Sequence, residues 1–299
     1  MKIINLLFFV MISVFLYSFQ DNQTQSVKTS DIPKEVYGDK NTSKKLKLSN
    51  GGAGPTGILK ELANDYLSIH KDTNIAIEWY QNISLNSLNL LKEKKVDIAL
   101  IYEPIEAKKA MNEGLVSNLS TIFNDHFIIV GPKNNFVKLN KNDSPANSFA
   151  KIYNYSEKNP GKKVFLSRND FSGTNEKERL LWKLIHKEPY SENLEWYFKF
   201  SVFPEDALLK ADSENIYTIT DWGTWLKASH KLKNLIVYIK GGYELLNPCV
   251  ALLQQNPSTE SIEFLKYLKS DRSQKIIKNF GKDKYNGSAF FTEANQIDF

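Results

Sequence analysis

Apolar residues along the chain fall into two alternating patterns, short nearly unbroken runs and longer amphipathic stretches. Ile75, Ala76, Ile77, Trp79 and Tyr80 form one run and Val96, Ile98, Ala99, Leu100 and Ile101 another. Both are rich in the β-branched and aromatic residues that strands favour and too short for a packed helix. Residues 58–67, 84–94 and 106–113 carry helical periodicity, and Gly114 supplies a C-terminal stop for the last of these. The alternation continues with strands predicted near 124–132, 164–166, 215–221, 235–239 and 249–253. Helices are predicted near 148–155, from 174 onward, from Pro204, after Asp221, and over 258–268 and 270–280. Continuous apolar strands are buried on both faces, so the pattern predicts an α/β protein with helices covering a sheet. Two apolar strands, 127–130 and 250–253, flank a middle block, as when one domain is inserted in another.

The two ends of this pattern differ from the body. Lys2 followed by the apolar stretch 3–17 reads as an N-terminal signal peptide over residues 1–20, with an uncleaved anchor as the alternative. Residues 21–44, rich in Gln, Asn, Thr, Ser and Lys, predict a flexible leader, with folded structure from Lys45. At 299 residues the chain suits two medium domains. The net charge of +5 arises from 39 basic and 34 acidic residues scattered along the chain, which argues against nucleic acid as a partner. Cys249, the only cysteine, rules out an internal disulfide and a cysteine metal cluster, and its apolar run marks it as a buried hydrophobe. His70, His126, His186 and His230 lack metal-ligand spacing, so neither a metal nor a cofactor is expected.

Two turns carry candidate chemistry. Ser49, Asn50, Gly51 and Gly52 open a glycine-rich loop between a strand and the helix from Ile58, where glycine lets backbone N–H groups approach a ligand. Gly52, Gly54 and Gly57 fit the bare spacing of a dinucleotide loop, but Glu78 lies inside the second strand rather than at its end, which argues against a nucleotide. The second turn, Ser167-Arg168-Asn169-Asp170-Phe171-Ser172-Gly173-Thr174, joins a buried strand to a helix. The first N–H groups of a helix have no internal partner and carry its positive dipole end, so this turn suits an anion, with Arg168 as an added charged donor. The same residues also allow a plain reading, in which Ser172 or Thr174 caps the helix and Arg168 pairs with Asp170. The aromatic stretch 190–203 reads as domain core before ligand stacking.

Four motifs in order carry a resemblance: the 96–101 strand with its helix, residues 124–132, residues 167–174, and Tyr217-Thr218-Ile219-Thr220-Asp221-Trp222-Gly223-Thr224. With Asn247-Pro248 they resemble the periplasmic tungstate-binding proteins of ABC transporters over roughly residues 45–290. The resemblance implies a two-lobe type II periplasmic-binding-protein fold with a ligand cleft between the lobes. It places one lobe in residues 45–126 plus 249–299 and the other in 131–244, with hinges near 127–130 and 245–250. It implies an exported monomer, periplasmic or tethered outside the membrane, that captures an oxyanion, tungstate or molybdate favoured, for a membrane permease. Ser49, Asn50, Gly51, Gly52, Ser167, Arg168, Ser172, Gly173, Thr174 and Asp221 would hold the ligand.

Two positions depart from that family. Ser49-Asn50-Gly51-Gly52 stands where its members have a Thr-Thr-Thr-Ser run, and Trp222 where they have arginine. Phosphate or a small organic anion, a sensory rather than transport role, and a secreted hydrolase using Ser167 or Ser172 with His126 stay open as alternatives.

Overall fold

The computed structural model describes residues 32–170 and 172–296. The signal-peptide expectation, the leader before residue 32 and Phe171 lie outside these residues. In chain order the elements are β1 (Glu35–Tyr37), β2 (Lys44–Asn50), α1 (Ile58–Ile69), β3 (Ile75–Gln81), α2 (Ser84–Lys92), β4 (Ile98–Ile101) and α3 (Pro104–Asn112). There follow β5 (Val116–Pro132), α4 (Pro145–Glu157), β6 (Phe165–Ser167), α5 (Gly173–Leu184), β7 (Tyr197–Lys199), α6 (Pro204–Glu214), β8 (Tyr217–Asp221) and α7 (Trp222–Ala228). The chain ends with β9 (Leu235–Lys240), β10 (Leu246–Gln254), α8 (Thr259–Leu268), α9 (Asp271–Asn279) and β11 (Thr292–Glu293).

The strands follow the order β1-β3-β2-β4-β10-β5-β8-β6-β7, and β9 and β11 also pair with β5. β2 runs parallel to β3 and β4, and β6 parallel to β7 and β8, as strand–helix–strand connections require. β10 is antiparallel to β4 and β5. The 17-residue β5 serves both halves of the sheet. Its first part, to His126, pairs with β10, and from Phe127 onward it pairs with β8 and β9.

Among the described residues, buried side chains form three clusters, two confined to one half each and the largest spanning both. Phe149, Phe165, Leu181, Trp182, Trp196 and Tyr197 fill the β6 side, while Leu88, Leu91, Ala99, Ile101 and Leu252 lie under α2 and α3. The largest cluster runs from Leu46 and Trp79 through Phe123 and Cys249 to Leu208, Trp222 and Phe290. Trp196 and Tyr197 make the aromatic stretch part of the core, whereas Phe203 at its end is 80% exposed.

Four differences from the sequence expectation concern strands. The leader does not extend to residue 44: β1 pairs antiparallel with β3, Tyr37 is buried, and the Thr42 hydroxyl donates to Asn74 O. Residues 116–123 also join β5, ahead of the strand expected from residue 124, because β10 lies alongside to take their hydrogen bonds. β7 and β11 are equally short and equally dependent on a distant partner. Strand β4 starts at Ile98 rather than Val96.

Candidate functional site

Two pairs of parallel strands, β2 with β4 and β6 with β8, end at Asn50, Ile101, Ser167 and Asp221, and each strand leads into the head of a helix. In open α/β sheets ligands bind beyond such carboxyl ends. Tyr102, directly after β4, is half-buried as a residue, but its phenol is buried, within electrostatic reach of Cys249 of β10, Asp125 of β5, Asp221 of β8 and Glu103. Burial, with these neighbours, pushes the phenol well above its ordinary value. Gly52 borders the same ring, since a Cβ there would lie 3.4 Å from Tyr102 Cε2.

The glycine loop is fixed from beneath by the side chains expected to contact ligand. Asn50 is fully buried; its amide donates to Leu100 O at 2.8 Å and its Oδ1 accepts from Gly54 N at 2.9 Å. Ser49, also fully buried, donates to Tyr80 O at 3.3 Å and shares a 2.9 Å hydrogen bond with Ser87 Oγ. Their side chains are therefore engaged beneath the loop, inside the protein. Gly51 must remain without a side chain, because a Cβ would stand 2.6 Å from Asn82 O. Gly52, exposed, presents only backbone.

At the second turn Ser167 is likewise engaged inside the protein. Its hydroxyl is buried and donates to Glu178 Oε2 at 2.7 Å. Glu178 also receives Asn175 Nδ2 at 3.2 Å, Trp182 Nε1 at 3.0 Å and the Tyr197 hydroxyl. Burial raises its carboxyl above the ordinary value, opposed by these four donors. Arg168 donates through Nε to Val202 O at 3.0 Å and pairs through Nη2 with Asp170, the plainer of the two sequence readings. The other Asp170 oxygen accepts from Ser172 N at 3.1 Å and Ser172 Oγ at 2.7 Å. An internal carboxylate thus takes one Arg168 N–H and the Ser172 donors. Gly173 and Thr174 occupy the first turn of α5, where N–H groups have no partner within the helix.

Asp221 has a similar structural role. It caps α7, accepting from Thr224 N at 2.7 Å and Thr224 Oγ1 at 2.6 Å. Next to it, Trp222 donates from Nε1 to Ala289 O at 2.9 Å, and Lys240 Nζ lies 3.7 Å from its ring centroid. Asp125 accepts from His126 N at 2.7 Å, and burial together with the Asp221 carboxylate pushes its carboxyl well above the usual range. Glu103 Oε2 is a buried carboxylate oxygen without a hydrogen-bond partner among the described residues.

Tyr102, Glu103 and Asp125 are absent from the sequence-derived candidates. The rule that ligand groups follow the carboxyl ends of parallel strands points to the first two. Only the crossing of β5 beside β8 brings the third to Asp221.

The hydrolase arrangement does not assemble. His126 Nε2 lies 2.7 Å from Thr292 Oγ1, while Ser167 and Ser172 are engaged by Glu178 and Asp170. Cys249 is fully buried, and burial with Asp125 and Glu103 nearby raises its thiol. Among the described residues no group of three or more His, Cys, Asp or Glu is placed to hold a metal ion, and no helix is long and apolar enough to cross a membrane.

Comparison with known proteins places this geometry among relatives. A model of the PBP superfamily domain matches residues 35–272. The chain is 28% identical over 206 residues to a Haloferax volcanii protein provisionally named an ABC transporter anion-binding protein, a match covering 65% of this chain and 56% of that protein. It is 29% identical over 245 residues to the tungstate-binding protein TupA of Peptoclostridium acidaminophilum, covering 79% of this chain and 81% of the relative. Among solved structures, a periplasmic protein provisionally described as metal-binding superposes with a TM-score of 0.78 at 32% identity, over 88% of this chain and 100% of that one.

Proposed function

The chain belongs to the PBP superfamily, with the α/β architecture of type II periplasmic binding proteins, and from that premise we propose that it captures a small oxyanion outside the cytoplasm and passes it to the membrane permease of an ABC importer. It acts as an exported monomer, a carrier rather than a catalyst. One lobe comprises residues 35–126 and 249–296, starting at β1 instead of residue 45, and the other residues 131–244, with hinges at 127–130 and 245–250. The observation that carries the reading is the meeting of Gly52, Tyr102 and the Asp221 head of α7 beyond the carboxyl ends of parallel strands. Backbone N–H groups of Gly51, Gly52, Gly173 and Thr174 supply the neutral donors, while Arg168 holds the α5 turn through Asp170. Tungstate or molybdate is the favoured ligand, on the strength of the tungstate-binding relative.

A second reading rests on acceptors rather than donors. Asp221 and the unpartnered Glu103 oxygen can take hydrogens from a ligand, and a dianion such as tungstate has none to give. Hydrogen phosphate, or a small organic anion bearing a hydroxyl, satisfies them and avoids leaving buried acceptors unmet.

Thermal denaturation with tungstate, molybdate, sulfate and phosphate separates these readings. A ligand at about 100 times its dissociation constant adds about 2.7 kcal/mol, a rise of roughly 5 °C or more for a chain of this size. Stabilisation by tungstate or molybdate alone supports the first reading. Stabilisation by phosphate alone, lost in Glu103→Gln, supports the second. No shift with any of them or with a panel of organic anions overturns the binding function itself.

A further inference from the structure

The C-terminal segment has contacts on both sides of the proposed division. On the first lobe it is tied down at several points. β11 pairs with β5 through Thr292↔Asn124 and Glu293↔Phe123, and the Asn124 side-chain amide donates to Glu293 O, Ala294 O and Gln296 O at 2.9–3.3 Å. His126 meets Thr292, Gln274 Oε1 accepts from Ala294 N at 2.9 Å, and Lys278 pairs with Glu293 at 2.9 Å. The immediately preceding residues reach α7 instead. Ala289 O accepts the Trp222 indole N–H at 2.9 Å. The Phe290 ring, 3% exposed, fits between Gly281 and Gly223, where an added Cβ would stand 2.5 Å and 3.1 Å from it. Lys227 Nζ lies 5.8 Å from the centroid of the same ring.

A segment anchored on one lobe and seated on the head of a helix from the other resists their separation. Opening the cleft by hinge rotation would stretch the Trp222–Ala289 hydrogen bond and draw Phe290 off Gly223, exposing apolar surface to water. Trp222 is well placed for this task, because its ring also carries Lys240 Nζ 3.7 Å from its centroid.

We infer that residues 280–296 form a clasp across the cleft, with the Trp222 indole as its catch on the second lobe, and that this clasp sets the balance between open and closed forms. The inference rests on the two-lobe reading above, but not on the identity of the ligand. Trp222→Phe retains an aromatic ring under Lys240 and removes the N–H donor together with part of the bulk of the indole. Loss of one neutral hydrogen bond moves a two-state balance by about fivefold.

Small-angle X-ray scattering of the ligand-free protein should therefore give a larger radius of gyration for Trp222→Phe than for wild type. Amide exchange in residues 280–296 should be faster as well. Phe290→Leu, which trims the ring against Gly223 and leaves the Ala289 bond in place, should shift scattering in the same direction. A lowered melting temperature with unchanged scattering and exchange in both variants would make the segment a structural brace and overturn the clasp. Because these readouts use ligand-free protein, they decide the clasp even where tungstate, molybdate and phosphate all fail to bind, an outcome that would count against the proposed function alone.

Discussion

Glu178→Ala should cost about 3–5 kcal/mol of folding stability, the loss typical when one member of a buried charged or strongly hydrogen-bonded set is removed. The carboxylate is 1% exposed and accepts from Ser167, Asn175, Trp182 and Tyr197. Alanine would leave the donors that meet there without their shared acceptor in a region closed to water, and each unmet buried group costs about 1–3 kcal/mol, less than additively. Glu178→Gln should lose less, since the amide oxygen still accepts while its NH2 faces donors. Urea denaturation checks both: a midpoint for Glu178→Ala equal to that of wild type, at unchanged slope, would show that the network contributes nothing to stability. The consequence for the site is direct, because Ser167 ends β6 and begins the turn that carries Arg168 and Asp170 to the head of α5.

Gly54→Ala is the second large effect, and it acts on the opposite side of the cleft. A Cβ at this position would stand 1.8 Å from Trp79 Cζ2 and 2.3 Å from Cε2. The indole has little room to retreat: Trp79 is 2% exposed, and its Nε1 donates to Asn50 O at 3.1 Å. The loop must move instead, breaking the Gly54 N to Asn50 Oδ1 bond and shifting Gly51 and Gly52 relative to Tyr102. Overpacking of this severity costs about 3 kcal/mol, or roughly 6 °C or more in melting temperature. Calorimetry should show that drop, and anion-induced stabilisation should disappear with it. A melting temperature within about 2 °C of wild type would mean that the loop relaxes without strain, contrary to the packing argument.

These two positions also mark how far the sequence can be read. The α/β class, the helices from Ile58, Gly173 and Trp222, and the glycine loop were legible because each depends on local periodicity, capping and turn chemistry. The edge strands β1, β7 and β11 were not, because two or three residues carry no period and form strands only when β3, β6 or β5 offers its hydrogen-bonding edge. The same limit applies to the side chains of the site. Ser49, Asn50 and Ser167 are polar groups at the ends of strands, and their types fit ligand contact equally well. Only the fold brings Ser87, Leu100 O and Glu178 within reach, from positions far along the chain.

Asp125 and Asp221 are neighbours for a similar reason: β5 runs on from the first half of the sheet to lie antiparallel to β8. Trp222 meets Ala289 because the C-terminal segment returns across β5. Local sequence fixes which conformations a segment prefers, since propensity acts within a few residues. Which hydroxyl is spent inside the protein and which carboxylates face one another is decided by buried acceptors competing for donors, and that competition exists only once distant strands have packed together.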